Sequence, residues 1–577
     1  MLRDVGYGLL LLAIPALVLL HLAIAPYTKV EESFHVQAIH DIEAYGIPTR
    51  GVKSALQTEY DHSTFPGAVP RTFAGAVALS GLSSPFIWLK HDIDRQFVAR
   101  AILGLFNALS LLYFTSGLRR TAGKTTAVWY LLFQASQFHV IYYASRTLSN
   151  MFAFGMTIFA LASLLPEPVS LTTYRKRSRV ALYLITIAGI VFRAELALFL
   201  ATHTIFLFAL GRISIQREII PAGIMGLILG LSITIPVDSF FWQQFPLWPE
   251  FAAFKFNVLH GQASAWGTHP WHYYFTNALP RLLLNPLACL IGIPLSLLQP
   301  ATRRIATSIT IPSIAYIMLY SIQPHKEWRF IVYAIPPLTA AAALGASYIW
   351  THRSKSVVYR ILSLGMIAST LASFLLSSFV LLPASSANYP GAQALNTLHT
   401  HVLTTAPKTT HQAPIPISVH LGNLACQTGI TRFLQLPPQS DQTPVSLTYD
   451  KSPPPDLPAQ KAAFLSRFDY VLLEPSDSEL LLSLSGSETE YAHSRSYAWE
   501  TVDSVTAFAG LRIVKPGEEA MGIVEEGILR WALGEKVEEL KVGESWRKVT
   551  DFLRGFTKGW WVEVRMEERI RILGRVG

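Results

Sequence analysis

Charge is scarce in this chain. Only 15% of its 577 residues are Asp, Glu, Lys or Arg, where a soluble chain of this length carries about 25%. With 51% hydrophobic residues and a mean hydropathy of +0.34, the deficit excludes an ordinary soluble enzyme. Cysteine is scarcer still. Cys289 lies in an apolar run and Cys426 in a polar region, which argues against a disulfide-stapled scaffold and implies no redox chemistry. No His/Cys cluster has metal-ligand spacing, and no glycine-rich loop is built to cradle a nucleotide phosphate. "HDIDR" holds a lone Asp92-x-Asp94 pair, too weak by itself to imply a metal. No internal repeat is visible, which sets the chain apart from many transporters.

What the sequence does have is a series of apolar runs. The first, Val5 to Ala25, reads as a retained membrane helix; Arg3 and "AIA" at 23–25 would also suit a cleaved signal peptide. Further runs fall near 98–118, 125–143, 150–168, 180–195, 196–210, 219–237, 281–299, 305–321, 329–350 and 357–383. Between them sit basic clusters: Arg119/Arg120/Lys124, Arg175/Lys176/Arg177/Arg179, Arg212/Arg217, Arg303/Arg304 and Arg353/Lys355/Arg360. The net charge of +9 could point to nucleic acid, but clusters placed this way mark cytoplasmic loops. The pattern predicts a polytopic α-helical membrane protein with about eleven spans. Run 72–89 is then re-entrant or interfacial, and 180–210 is a hairpin whose short arms suggest a broken or partly re-entrant pair.

This topology, counted from basic residues alone, puts every unusual polar stretch on one face, the luminal one. "PYTKVEESFH" carries Glu31 and Glu32 just past the first helix. A carboxylate there can take a proton from a hydroxyl beside a lipid-borne leaving group, although acidic residues also favour a helix start. "EYDHSTFPGAVPRTF" holds Tyr60, Asp61, His62 and Arg71 in a Pro/Gly-bounded loop, with Asp61 a competing base. "SRTLSN" offers Arg146 to a lipid phosphate; Ser149 and Asn150 read equally as helix caps. "PHKEWRF" packs His325, Lys326, Glu327 and Arg329 between two spans, where ionisable residues are expensive unless paired or functional. Arg193 and Glu195 in "FRAEL" are two apart and need not pair with each other on a helix; they line a cavity or make internal salt bridges with other helices. The loop 238–280 is dense in aromatics, Trp266 and His269 among them, which suit sugar rings and membrane interfaces alike.

After 384 the chain turns polar. Residues 400–460 read as loops, and "DYVLLEP" and "FAGLRIV" as short buried strands. The last stretch, from Pro516, mixes amphipathic and charged segments, an accessory helix and strand or a partly disordered tail. The domain reading is therefore a transmembrane catalytic domain over 1–383 (its first luminal loop 26–97), a luminal region over 384–515 and an extension of open role over 516–577.

"PYTKVEESF", "YDHSTFPGAVPRTF", "SRTLSN", "FRAEL", "PVDSFFW", "WGTHPWHYYF", "ALPR" and "PHKEWRF" together resemble the dolichyl-phosphate-mannose-dependent α-1,6-mannosyltransferases of N-glycan assembly in the endoplasmic reticulum. The likeness runs from about Pro26 to Arg432 in the same order. It departs at His35, where asparagine is common, and at Ser63, where a second histidine is common. The resemblance implies a GT-C fold with a luminal active site and a luminal C-terminus in the endoplasmic reticulum membrane. It implies a dolichyl-phosphate mannose donor, a dolichol-linked oligosaccharide acceptor, inversion at the sugar, and no cofactor or metal. Glu31 aligns with the relatives' motif aspartate and is the implied base, then Glu32, then Asp61. Arg146, His325, Lys326 and Arg329 are implied to hold the donor phosphate; Tyr60, His62, Trp266 and His269 contact the acceptor. A sister mannosyltransferase of another N-glycan branch or a glycolipid anchor, and more remotely a lipid or sugar transporter, are the alternatives.

Overall fold

The computed structural model describes residues 2–406, 414–436, 444–484, 498–519, 548, 551–552 and 554–576. These residues form two compact units: Met1–Ala23 with Phe34–Val380, and Ile24–Ser33 with Leu381–Gly577.

The first unit is helical. Five of the described helices are long and apolar enough to cross a membrane: Gly6–Ile24, Arg95–Ala122, Ile215–Trp242, Trp328–Thr351 and Val357–Ser386. A sixth is reached if Tyr274–Leu283 and Ala288–Leu298, bent by 112°, count as one broken span. The bend follows Leu284 at φ 57° and Asn285, whose Oδ1 accepts from the Ala288 amide at 3.0 Å. Burial separates these helices by role. Trp328–Thr351 is enclosed almost throughout, as a helix apolar on every side should be. By contrast Gly6–Ile24, Ile215–Trp242 and Val357–Ser386 leave Leu9, Leu12, Ile224, Ile228, Ile361 and Leu364 exposed, surface that fits lipid rather than water. Small residues let the central helix pack closely: a Cβ on Gly345 would strike the Gly292 carbonyl.

Several expected segments are shorter than drawn from sequence. Run 125–143 breaks at Gln137 into Lys124–Ser136 and Phe138–Tyr143, and Ser149–Leu164 and Ala74–Leu89 each have 16 residues. The hairpin exists as Leu171–Val191 and Leu196–Ala209, with "FRAE" in its turn. Two basic clusters converge on one carboxylate. Glu167 pairs with Arg120 Nη2 at 3.1 Å and Arg177 Nη1 at 2.8 Å. Asp94 caps Arg95–Ala122 by accepting from the Phe97 amide at 2.9 Å.

The second unit carries a five-stranded sheet of order β2-β1-β3-β5-β4. Its strands are β1 Ile415–Leu421, β2 Val445–Asp450, β3 Tyr470–Leu473, β4 Ala498–Val514 and β5 Trp561–Val576. β1 runs parallel to β2 and β3, and β5 runs antiparallel to both β3 and β4. One face packs Val419, Leu421, Leu472 and Ile572 against Leu395 and Leu398 of the Pro390–Thr405 helix, and the other packs Phe468, Val471 and Leu573. Two findings correct the sequence reading. β1 and β2 lie inside the stretch read as loops. β5, read as part of an accessory extension, sits inside the sheet, where Arg575 bonds Asp469 at 2.7 Å. The remainder of the proposed amphipathic extension, 520–547, lies outside the described residues. Residues 24–33 join this unit through a bridge between Lys29 and Thr428.

Candidate active site

Glu31 and Glu32 occupy the first turn of the Val30–Tyr45 helix, and the structure treats them differently. Glu31 is exposed, whereas Glu32 is buried, with Oε1 accepting from the Lys29 amide at 3.2 Å. An N-terminal carboxylate bonded back to its own helix start is a cap. The second-ranked base thus has a structural task, and the first is open to solvent.

In the first unit, the "YDHSTF" segment is fixed by groups the motif alone did not show. Asp41 is buried and accepts from the Asp61 amide at 2.8 Å. The Tyr60 hydroxyl donates to the Gly46 carbonyl at 2.5 Å, and His62 Nε2 donates to the Phe241 carbonyl at 2.8 Å. Both side chains are buried, His62 among Tyr60, Phe73 and Trp242. The Tyr60 hydroxyl and His62 Nε2, expected to contact the acceptor, both hold backbone carbonyls here, which gives the two side chains a scaffold role. Asp238 of "PVDSFFW" does similar work, accepting from the Phe73 amide at 2.6 Å and the Thr234 hydroxyl at 2.5 Å. Asp61 keeps a partly exposed side chain at the start of the short Asp61–Thr64 helix.

The "FRAEL" turn anchors a buried polar network. Arg193 Nε donates to both carboxylate oxygens of Glu195, at 2.9 and 3.0 Å. Glu195 Oε1 also accepts from Asn150 Nδ2 at 2.7 Å and the Tyr333 hydroxyl at 3.3 Å. Asn150 is therefore a cross-helix ligand and not a cap; the Ser149–Leu164 helix begins after Leu148 with no side-chain cap. Glu250 accepts from the Ala194 amide at 2.6 Å. Burial pushes its carboxyl up to about 8, against the opposing pull of Arg193. Fully buried His35 is pushed down to about 3 by burial and then by the Arg71 and Arg193 charges. This buried imidazole is therefore neutral at physiological pH.

The "PHKEWRF" stretch and the aromatic loop are tied together. Lys326 Nζ donates to the carbonyls of His269 at 3.0 Å and Gln323 at 2.5 Å, and the His269 amide donates to the Pro324 carbonyl at 3.0 Å. His325 Nδ1 bonds the Gly267 carbonyl at 3.1 Å, and Nε2 bonds Glu327 at 3.0 Å. Arg329 reaches the same Glu327 oxygen at 2.6 Å. Lys326 is buried, and burial holds its ammonium below the usual lysine range. It serves as a clamp on the loop, a task that sequence reasoning gave to phosphate binding. Trp266 and His269 remain exposed, His269 stacked on Tyr273 at 4.2 Å. Trp328 packs on Tyr143 at 4.4 Å, and buried Arg146 lies 4.1 Å over the neighbouring Tyr142 ring. The structure thus gathers Arg146, His325, Lys326, Arg329, Trp266 and His269 in one connected region of the first unit. No group of three or more metal-ligating side chains occurs among the described residues.

The fold is that of the GT-C membrane glycosyltransferases. ArnT from Cupriavidus metallidurans, solved bound to undecaprenyl phosphate, superposes with a TM-score of 0.54 at 14% identity, covering 85% of this chain and 96% of its own. Residues 10–435 match the Alg9-like mannosyltransferase family, and the chain belongs to it. A Saccharomyces cerevisiae relative, the Dol-P-Man:Man(7)GlcNAc(2)-PP-Dol alpha-1,6-mannosyltransferase, is 33% identical over 517 residues, covering 85% of this chain and 86% of the relative. The Arabidopsis thaliana protein of the same name is 33% identical over 444 residues, covering 75% and 81%.

Proposed function

We propose that this mannosyltransferase moves mannose from dolichyl-phosphate mannose to the 6-hydroxyl of the seven-mannose dolichol-linked oligosaccharide, giving the eight-mannose intermediate of N-glycosylation. The observation that carries this reading is the likeness over most of the chain to relatives bearing that activity in their names. The reaction is placed on the luminal side of the endoplasmic reticulum membrane. Every unusual polar stretch falls on that side when the basic clusters are assigned to the cytoplasm.

The chemistry follows from the donor. Dolichyl phosphate is already an anion, so its departure needs no general acid. It needs positive charge where the negative charge grows, in a site with little water. Arg329, paired to Glu327 through a single Nη, and the neighbouring His325 supply that charge, while Lys326 fixes the loop above them. Glu31 accepts the proton of the acceptor hydroxyl. The oxygen bonds to the anomeric carbon, and the bond from that carbon to the phosphate oxygen breaks with inversion, so one base suffices. Exposed Trp266 and His269 offer ring faces to the oligosaccharide.

The test uses membranes containing the full chain, labelled dolichyl-phosphate mannose and the seven-mannose acceptor. An eight-mannose product whose new residue is released by an α-1,6-specific mannosidase is the expected result. Product from a different acceptor only makes the chain a sister enzyme. Transfer to no acceptor at all overturns the enzymatic assignment of the site.

A further inference from the structure

Arg193 is held in an unusual way. In a buried arginine–carboxylate pair serving only stability, two guanidinium nitrogens usually meet two oxygens fork to fork. Here Nε alone takes both oxygens of Glu195, at 2.9 and 3.0 Å. Among the described residues, no hydrogen bond reaches Nη1 or Nη2, so four of the five N–H donors are left over. The guanidinium does not swing freely, because Glu195 is itself pinned by Asn150 at 2.7 Å and Tyr333 at 3.3 Å. Its carbon lies 5.4 Å from the centre of the Phe330 ring, and the Arg329 guanidinium lies 5.8 Å from the same ring. Arg193 and the cation already assigned to the donor therefore share contact with the Phe330 ring, and the Arg193 turn is fixed by Glu250 on the Ala194 amide. Leaving charged donors unsatisfied in a partly buried place costs free energy unless something with matching acceptors arrives.

We propose that Arg193 grips the phosphate of the lipid-linked donor through its two Nη groups, with Glu195 as the positioning residue that sets the fork. The ligand chemistry is a polyprenyl monophosphate. The inference rests on the donor named above, not on the identity of the acceptor. It also assigns distinct tasks to the two residues of "FRAEL" that the sequence left undecided between cavity lining and internal pairing.

Dolichyl phosphate, the product, and dolichol, which lacks the phosphate, are the probes. They are added to the full chain in membranes, and inhibition of mannosyl transfer is measured for wild type, Arg193→Gln, Arg193→Lys and Glu195→Gln. Wild type should be inhibited by dolichyl phosphate far more than by dolichol. Arg193→Gln should weaken dolichyl phosphate inhibition and raise the donor KM about 10- to 100-fold, with the acceptor KM unchanged. Arg193→Lys keeps the charge without the fork, so it should fall between them. Glu195→Gln should raise the donor KM several-fold while Arg193 is still present. Thermal unfolding of each solubilised variant separates these effects from misfolding. Unaltered dolichyl phosphate inhibition in folded Arg193→Gln overturns the assignment while leaving the mannosyltransferase reading intact. An equal rise of donor and acceptor KM also overturns it, making Arg193 a structural residue. Failure of wild type to distinguish dolichyl phosphate from dolichol sinks the donor reading and the inference together.

Discussion

Replacing Glu31 and Glu32 by glutamine, one at a time, separates a base from a cap that stands next to it. The two changes are chemically identical, so any difference arises from surroundings. Glu32 is 1% exposed and bonds the Lys29 amide through Oε1. Glutamine keeps an oxygen for that bond and loses only the charge at the helix start, an interaction worth about 0.3–1 kcal/mol. Glu32→Gln should therefore lower the unfolding temperature by about 1 °C or less and alter kcat less than about tenfold. Glu31 is exposed in the same turn. Its replacement should leave unfolding within about 0.5 kcal/mol of wild type. If it accepts the hydroxyl proton, kcat should fall about a hundred- to ten-thousandfold. The assay is initial-rate transfer at saturating donor, with unfolding of the same preparations followed in detergent. The reasoning is refuted if Glu32→Gln abolishes transfer at an unchanged unfolding temperature while Glu31→Gln remains active. Full activity in both variants moves the base to Asp61.

Two further outcomes follow from buried groups. Glu250 has a folded-state value near 8 against an ordinary 4.5, so the stability linked to its protonated form is complete below pH 4.5 and lost as pH rises through 8. Glu250→Gln keeps the bond to the Ala194 amide, should flatten the pH dependence of unfolding across that window and should stabilise the chain at pH 8 by on the order of 4 kcal/mol; an unchanged slope counts against a protonated carboxyl. Gly345→Val drives a branched side chain into the Gly292 carbonyl, so it should cost roughly 2–3 kcal/mol by forcing two packed segments apart, and an unfolding temperature equal to wild type would show that this contact yields freely.

Much of the molecule was legible because membranes impose simple rules. Runs long enough to cross and basic residues between them set the class. "DYVLLEP" and "FAGLRIV" announced themselves as apolar runs and fall in β3 and β4. Other features depend on three-dimensional neighbours that no local pattern carries. β1 and β2 are seven and six residues long, flanked by Pro, Ser and Thr, so their turn chemistry masks them until both faces of the sheet are seen. β5 alternates charged and apolar residues because it is buried by a sheet assembled from distant segments. At the site, sequence supplied residue types but not their allegiances. Tyr60, His62 and Lys326 are residue types suited to a sugar or a phosphate, and each bonds a backbone carbonyl. Asp41 and Asp238, which do the holding, sit inside helices where nothing marks them.

The position of β5 has a consequence for how the protein is made. It is the last of the five strands to emerge from the ribosome, yet it separates β3 from β4 and, among the described residues, is the only strand paired with β4. Until Trp561–Val576 has been synthesised, β3 has one open flank and the seventeen residues of β4 have no partner. A premature stop between Val514 and Trp561 would leave every helix of the first unit in the chain. It would also release a product with two unpaired strand edges, the kind of surface that quality control retains and that self-associates. Loss-of-function alleles of this protein should therefore include late truncations far from any residue that touches a sugar.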